Sequence, residues 1–179
     1  MNRRRDAVGA VAELALFLER RAADDGDSVG TIGILEVPGG STNVVPGRCR
    51  FTLDLRAPRD DQRDRLAADV LGELNRVCER RGLHCTAEET LRVSAAPSHP
   101  QWQRRWEHAV ASLGLPVHRM PSGAGHDAMK LHEIMPQAML FVRGGNSGIS
   151  HNPLESITAD DAQLCVDAFR HYVDQLAAQ

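Results

Sequence analysis

The chain has 179 residues, of which 42% are hydrophobic and 25% charged, and it carries a formal net charge of −3. That length suits one domain or two small ones, and the ordinary apolar fraction suits a packed core. The charge lacks the basic excess of a nucleic-acid binder, no apolar run is long enough for a membrane span, and Met1 opens on charge rather than on a signal segment, so a cytoplasmic protein is expected.

In chain order, Arg3, Arg4 and Arg5 form a basic run that reads as a solvated helix start. Residues 5–22 then read as a helix, with Val8, Val11, Ala12, Ala15 and Leu18 at helical spacing and Asp24, Asp25 and Gly26 ending it. Residues 29–37 read as a strand, followed by the turn cluster Pro38, Gly39, Gly40 and Ser41. Residues 48–56 alternate cleanly: Cys49, Phe51, Leu53 and Leu55 on one face, Arg50, Thr52, Asp54 and Arg56 on the other, as in a half-buried antiparallel strand. Asp60 is placed to cap a second helix whose core face is Leu66, Val70, Leu74, Val77 and Cys78, stopped at Gly82. Residues 83–93 read as a third strand, and the connector 94–100 is the best domain boundary.

Pro100 suits the first turn of a helix running to about Leu113. Residues 117–120 read as a short strand, 124–135 as a helix broken at Pro136, and 137–142 as a buried strand. Thr158, Ala159, Asp160 and Asp161 look like a capping-box start to the last helix, whose apolar stripe is Cys165, Phe169, Tyr172, Val173 and Leu176. The four cysteines, 49, 78, 85 and 165, show no C-x-x-C spacing, so neither a zinc ribbon nor a redox motif is indicated; Cys49, Cys78 and Cys165 fall in apolar phase, as buried thiols do.

Two tempting motifs fail. Gly123 to Ala128 fits G-x-G-x-x-A between a strand and a helix, but the acidic ribose ligand due roughly 20 residues on is missing from 143–148. His132-Glu133 starts like a zincin helix, but Pro136 stands where the second histidine should be. His84, His99, His108, His118 and His171 read as surface or structural residues.

The most informative stretch is Asn146-Ser147-Gly148-Ile149-Ser150-His151-Asn152-Pro153, which follows the apolar run 138–142. It puts an imidazole beyond the C-terminal end of a strand, where open α/β sheets hold ligands and metals. With Pro121 to Ala128, with Met-Asn-Arg-Arg-Arg-Asp-Ala at 1–7, and with Thr42-Asn43-Val44-Val45-Pro46-Gly47 ahead of Phe51-Thr52-Leu53-Asp54-Leu55-Arg56, it makes four blocks in order. Together they resemble the N-carbamoyl-amino-acid hydrolase and allantoate amidohydrolase family, a branch of the dinuclear-metal aminoacylase and carboxypeptidase superfamily.

The resemblance implies an α/β (α+β) protein of two parts. Residues 1–95 would be a ferredoxin-like lid and dimerisation domain lacking its first strand, and 96–179 the C-terminal part of an α/β zinc-peptidase-like catalytic domain. In the family a His-Ala-Gly-Thr-Thr-Pro segment precedes the first block; the other metal ligands and the glutamate general base lie further upstream, so no catalytic base is expected in this chain. His151 matches the family's final metal ligand, in a centre of two divalent ions (zinc, manganese or cobalt). Asn43 and Arg56 match residues that bind the substrate carboxylate across a homodimer, and Gly125 matches a loop glycine that touches substrate. His126 and Asp127 would support that loop, and Glu155 would start a helix or back up His151. Relatives often carry Pro-Ser where this chain has Arg143-Gly144. By residue type alone, Arg56 is also a strand-end surface arginine, Asn43 a turn residue and His151 a loop histidine.

The function implied is that of a portion of a metal-dependent amidohydrolase. It would cleave the carbamoyl or ureido C–N bond of small carboxylates, N-carbamoyl-amino acids or allantoate, and be inactive alone. The alternative is a non-catalytic dimerisation or carboxylate-binding module.

Overall fold

A computed structural model describes residues 4–178. Arg3 of the basic run, and with it the start of the 1–7 block, lies outside the described residues. The chain divides into two units, Met1–Ala95 with Pro121–Ala124, and Ala96–Met120 with Gly125–Gln179.

In the first unit, α1 (Ala7–Asp25) and α2 (Asp60–Arg81) pack on each other. Asp6 caps α1 by accepting the Gly9 N–H at 3.0 Å, satisfying one of the donors a helix start leaves orphaned. The sequence reading of Asp60 as a cap is corrected: Arg59 is the N-cap, without a side-chain cap bond, and Asp60 is the first helical residue. Its carboxylate accepts the Ala95 N–H at 2.9 Å. Leu14, Leu18, Leu66, Val70, Leu74 and Cys78 form the buried cluster between the helices, as the 3.6-residue period requires. Salt bridges fasten its rim, Glu13 to Arg80 and Arg81, and Arg21 to Asp69 at 2.7 Å.

The two predicted strands 29–37 and 48–56 are each broken in two. β1 (Val29–Thr31) pairs antiparallel with β4 (Asp54–Arg56), and β2 (Leu35–Glu36) with β3 (Arg50–Phe51). Paired residues sum to 85 in the first ladder (Gly30 with Leu55) and to 86 in the second (Leu35 with Phe51). One strand therefore carries one extra residue between the ladders, which is a β-bulge at 32–34, and Gly33 sits inside it. Thr52 bridges the break: its N–H donates to the Ile34 carbonyl and its hydroxyl accepts the Ile34 N–H, both at 3.1 Å. The alternation survives, with Phe51, Leu53 and Leu55 half-buried against the helical cluster and Thr52, Asp54 and Arg56 exposed.

Gly30 is required by close approach. A Cβ there would collide with the Leu18 side chain, with Cγ at 2.8 Å, and Leu18 is buried and cannot swing away. Gly30→Ala is expected to destabilise the unit by about 1–3 kcal/mol, as overpacking does. Urea denaturation checks it, and a shift under roughly 0.5 kcal/mol, the ordinary range for a surface change, would refute the packing argument.

Residues 83–93 do not form the expected strand. Leu83 and Cys85 pack on the cluster, but no described backbone hydrogen bond engages residues 84–92, and Leu91 is 79% exposed. A strand exists only through its ladder, and no described strand lies in register with this segment.

In the second unit, α3 (Pro100–Ser112) and α5 (Ala159–Ala177) pack through aromatic rings. Trp106 stacks on Tyr172 at 4.1 Å between centroids and tilts against Phe169 at 5.9 Å. Thr158 caps α5 as expected, accepting the Asp161 N–H at 3.0 Å and donating its hydroxyl to that carboxylate at 2.6 Å. The α5 stripe is only partly covered, Phe169 being 57% exposed. The predicted strands 117–120 and 137–142 form no ladder, for the reason given for 83–93. The predicted helix 124–135 shrinks to α4 (Ala128–His132). Its start has no side-chain cap bond, and the glycines at 123 and 125 favour coil ahead of it. Among the described residues no helix is long and apolar enough to cross a membrane.

Candidate functional site

Arg56 ends β4 on the exposed face of the sheet, as the alternation dictates. Its guanidinium grips Asp54 with two parallel bonds, Nε to Oδ1 at 2.7 Å and Nη2 to Oδ2 at 2.8 Å, and Nη1 donates to the Gly123 carbonyl at 2.6 Å. That pairing holds the Asp54 carboxyl below its ordinary value and raises the arginine. Three of the five N–H donors of the fork are thus engaged. Among the described residues, one donor on each terminal nitrogen is left for a ligand, and a guanidinium N–H is a strong donor to a carboxylate. Sequence reasoning singled out Arg56 but missed Asp54 and Gly123 as its partners. Asp54 was legible, since residues two apart on a strand share a face; Gly123, distant in sequence, was not.

Asn43 lies in the exposed connection between β2 and β3. Its Oδ1 accepts the Ser41 hydroxyl at 3.3 Å, which fits its turn reading. The same connection is tied to the start of α1, where the Ala7 N–H donates to the Pro46 carbonyl at 2.9 Å. Asn43 and Arg56 share the first unit, and no described hydrogen bond joins them.

Gly125 and His151 belong to the second unit. Gly125 lies in coil ahead of α4, with Met129 Sδ as the one neighbour a Cβ would meet, at 3.8 Å. Immediately after it, His126 Nδ1 accepts the Ala128 N–H at 3.1 Å, so His126 shapes the loop locally. His151 sits in a self-bonded loop: Gly145 N–H to the Ser156 carbonyl at 2.7 Å, Asn146 Nδ2 to the Leu154 carbonyl at 2.6 Å, Leu154 N–H to Asn152 Oδ1 at 3.0 Å. Glu155 accepts the His151 backbone N–H at 2.9 Å, a role the sequence did not specify. Three non-glycine residues of this loop, Asn146, Ser147 and His151, have positive φ (49°, 61° and 55°). Such backbone costs on the order of 1–3 kcal/mol per residue and collects at ligand-holding sites. The His151 imidazole is exposed, and no described hydrogen bond engages it.

Against a dinuclear metal centre the donor set is incomplete. Among the described residues no group of three or more His, Cys, Asp or Glu could hold a metal ion, whereas a catalytic zinc takes about three protein ligands. The residues present do not by themselves fit the pair of ions.

The first unit is thus a small antiparallel hairpin packed with two helices, and the second a helical unit that carries a strained histidine loop. Residues 5–175 match peptidase family M20/M25/M40, and the chain belongs to that family. The chain is 34% identical, over 177 residues, to the N-carbamoyl-L-amino acid amidohydrolase of Geobacillus stearothermophilus, covering 99% of this chain and 43% of that protein. It is 27% identical over 178 residues to the allantoate amidohydrolase of Bacillus subtilis, with the same coverage. The crystal structure of a hydantoinase/carbamoylase family amidase from Burkholderia multivorans superimposes with a TM-score of 0.90 at 30% identity, over 96% of this chain and 42% of that one. These matches bear out the resemblance read from the four sequence blocks. The chain spans less than half the length of these proteins.

Proposed function

We propose that this chain is a portion of a metal-dependent amidohydrolase that cleaves the carbamoyl or ureido C–N bond of a small carboxylate, an N-carbamoyl-amino acid or allantoate. Arg56, whose guanidinium keeps donors beyond those given to Asp54 and Gly123, is the observation that carries the carboxylate half of this reading; Asn43, in the connection at the other end of the hairpin, is assigned to the carboxylate by the family's motif. His151 contributes one imidazole to a centre of two zinc, manganese or cobalt ions. The remaining ligands and the glutamate base come from the part of the relatives' length that this chain does not span. Gly125 presents its backbone to the substrate. Four cysteines, all free, suit a reducing cytoplasm.

Residues 1–95 are, on this reading, the lid and dimerisation domain, and 96–179 the C-terminal part of the catalytic domain. The connection from β4 through α2 to 83–93 supports the first assignment. A helical crossover joins parallel strands that either neighbour each other or leave room for one between. No described hydrogen bond joins β4 to 83–93, so a single strand antiparallel to both completes a β-α-β-β-α-β unit. Until that strand is supplied, the edge is open and favours self-association. Sedimentation at tens of micromolar should show a dimer; a pure monomer would remove the dimerisation assignment.

The activity test compares two proteins. The chain alone should give no turnover of N-carbamoyl-amino acids or allantoate with zinc, manganese or cobalt. A fusion to the upstream portion of the Geobacillus relative should turn over, and lose activity on His151→Ala. Metal-dependent turnover by the chain alone, or a fully active His151→Ala fusion, refutes the assignment of His151.

A further inference from the structure

We infer that Cys78 and Cys85 are a redox pair that closes to a reversible disulfide when the protein meets hydrogen peroxide, fastening the C-terminal end of α2 to the segment that follows. Sequence spacing did not suggest it, because the two thiols are seven positions apart and lie on different kinds of backbone. The end of α2 brings them together. Gly82 adopts the left-handed conformation, φ 65°; its N–H donates to the Glu79 carbonyl at 3.0 Å and the Leu83 N–H to the Cys78 carbonyl at 2.8 Å. That paired bonding is a Schellman turn, and it folds the chain back along α2. Leu83 and Cys85 then both pack on the cluster that contains Cys78. The Cys85 thiol donates to Asn75 Oδ1 at 3.2 Å, and Asn75 lies one helical turn before Cys78. Asn75 and Cys78 share one face of α2, so the bond from the Cys85 thiol to Asn75 and the packing of Cys85 on the cluster set that thiol on the side of the helix that carries Cys78. No other two cysteines among the described residues share an interaction.

The surroundings set the order of events. Cys85 is half-exposed and Cys78 is 6% exposed. Burial keeps Cys78 as a thiol, and Cys85 beside it pushes it further in the same direction. Peroxide therefore meets Cys85 first. Its thiolate attacks one peroxide oxygen, the O–O bond breaks, and the released hydroxide takes a proton to become water, leaving a sulfenic acid on Cys85. The Cys78 sulfur then attacks the Cys85 sulfur, the S–O bond breaks, and the departing hydroxide leaves as water with the Cys78 proton. Two thiols lose two electrons and two protons, and one peroxide becomes two waters.

The test uses the full chain, native, with a small excess of hydrogen peroxide, then alkylation and trypsin without reductant. Trypsin cuts after Arg76, Arg80, Arg81 and Arg92, so the disulfide joins peptide 77–80 to peptide 82–92. That linked pair is the expected product, and dithiothreitol should separate it. In Cys78→Ala, Cys85 should stop as a sulfenic acid captured by dimedone. In Cys85→Ser, which changes a half-exposed position and spares the core, Cys78 should stay unoxidised at the same dose. Peptide 82–92 linked to a second copy of itself, Cys85 driven to sulfinic acid without a link in the unaltered chain, or Cys78 oxidised in Cys85→Ser would each overturn the pair.

Discussion

Replacing Arg56 by Lys in the fused enzyme is expected to lower kcat/KM for a carboxylate-bearing substrate roughly a hundredfold or more, at about 1.5–3 kcal/mol for each charged hydrogen bond lost. The reason is donor arithmetic. Arg56 already spends three N–H groups on Asp54 and Gly123 and keeps two for a ligand. A lysine ammonium has three donors on one atom and cannot hold Asp54 at both oxygens, reach Gly123 and still offer a fork. Arg56→Ala should cost at least as much, since it also leaves the Asp54 carboxylate unpaired, with no cation beside it to offset its repulsion of an anionic substrate. The discriminating measurement is a second substrate whose carboxylate is converted to an amide. If Arg56 binds carboxylate, the variants penalise the acid far more than the amide. Equal losses on both would reduce Arg56 to a strut of the first unit, and losses within a few-fold of the parent on both would remove it from the site.

Leu66→Ala is the largest expected change in stability. Leu66 is fully buried, as are Leu14, Val70 and Val77, and it belongs to the cluster that joins α1 to α2. Truncating such a leucine removes its transfer free energy and leaves a cavity, about 2–5 kcal/mol together, against a net stability of about 5–15 kcal/mol for a domain. Both tryptophans, Trp102 and Trp106, belong to the second unit, so their fluorescence reports on that unit. Hydrogen exchange at α1 and α2 amides is the direct readout for the first. Those amides should exchange faster by a factor of roughly 30 or more, the equivalent of about 2 kcal/mol of opening free energy. Unchanged exchange would mean that the α1–α2 contact is not what holds the unit together.

The helices were legible because their information is local. The 3.6-residue spacing of Leu66, Val70 and Leu74, the Thr158 cap and the Gly82 stop each lie within a few residues of the structure they cause, and the structure forms them there. Residue type, likewise local, marked the chemistry: an arginine ending an alternating strand and a histidine in a Gly/Ser-rich loop. The sequence by itself therefore determined that the four long helices form and which of their faces are apolar, and it marked the side chains proposed to meet a carboxylate or a metal. Pairing was decided only in three dimensions. The bulge between the two ladders is a one-residue offset between segments of one hairpin, invisible in either alone. Residues 83–93, 117–120 and 137–142 have the composition of strands but no described partner, and hydrogen bonds to a neighbour, not composition, make a strand. Arg56 found Gly123 67 residues away, and Cys85 was turned back on Cys78 by a helix terminus, because tertiary packing sets distances in space that spacing along the chain does not encode.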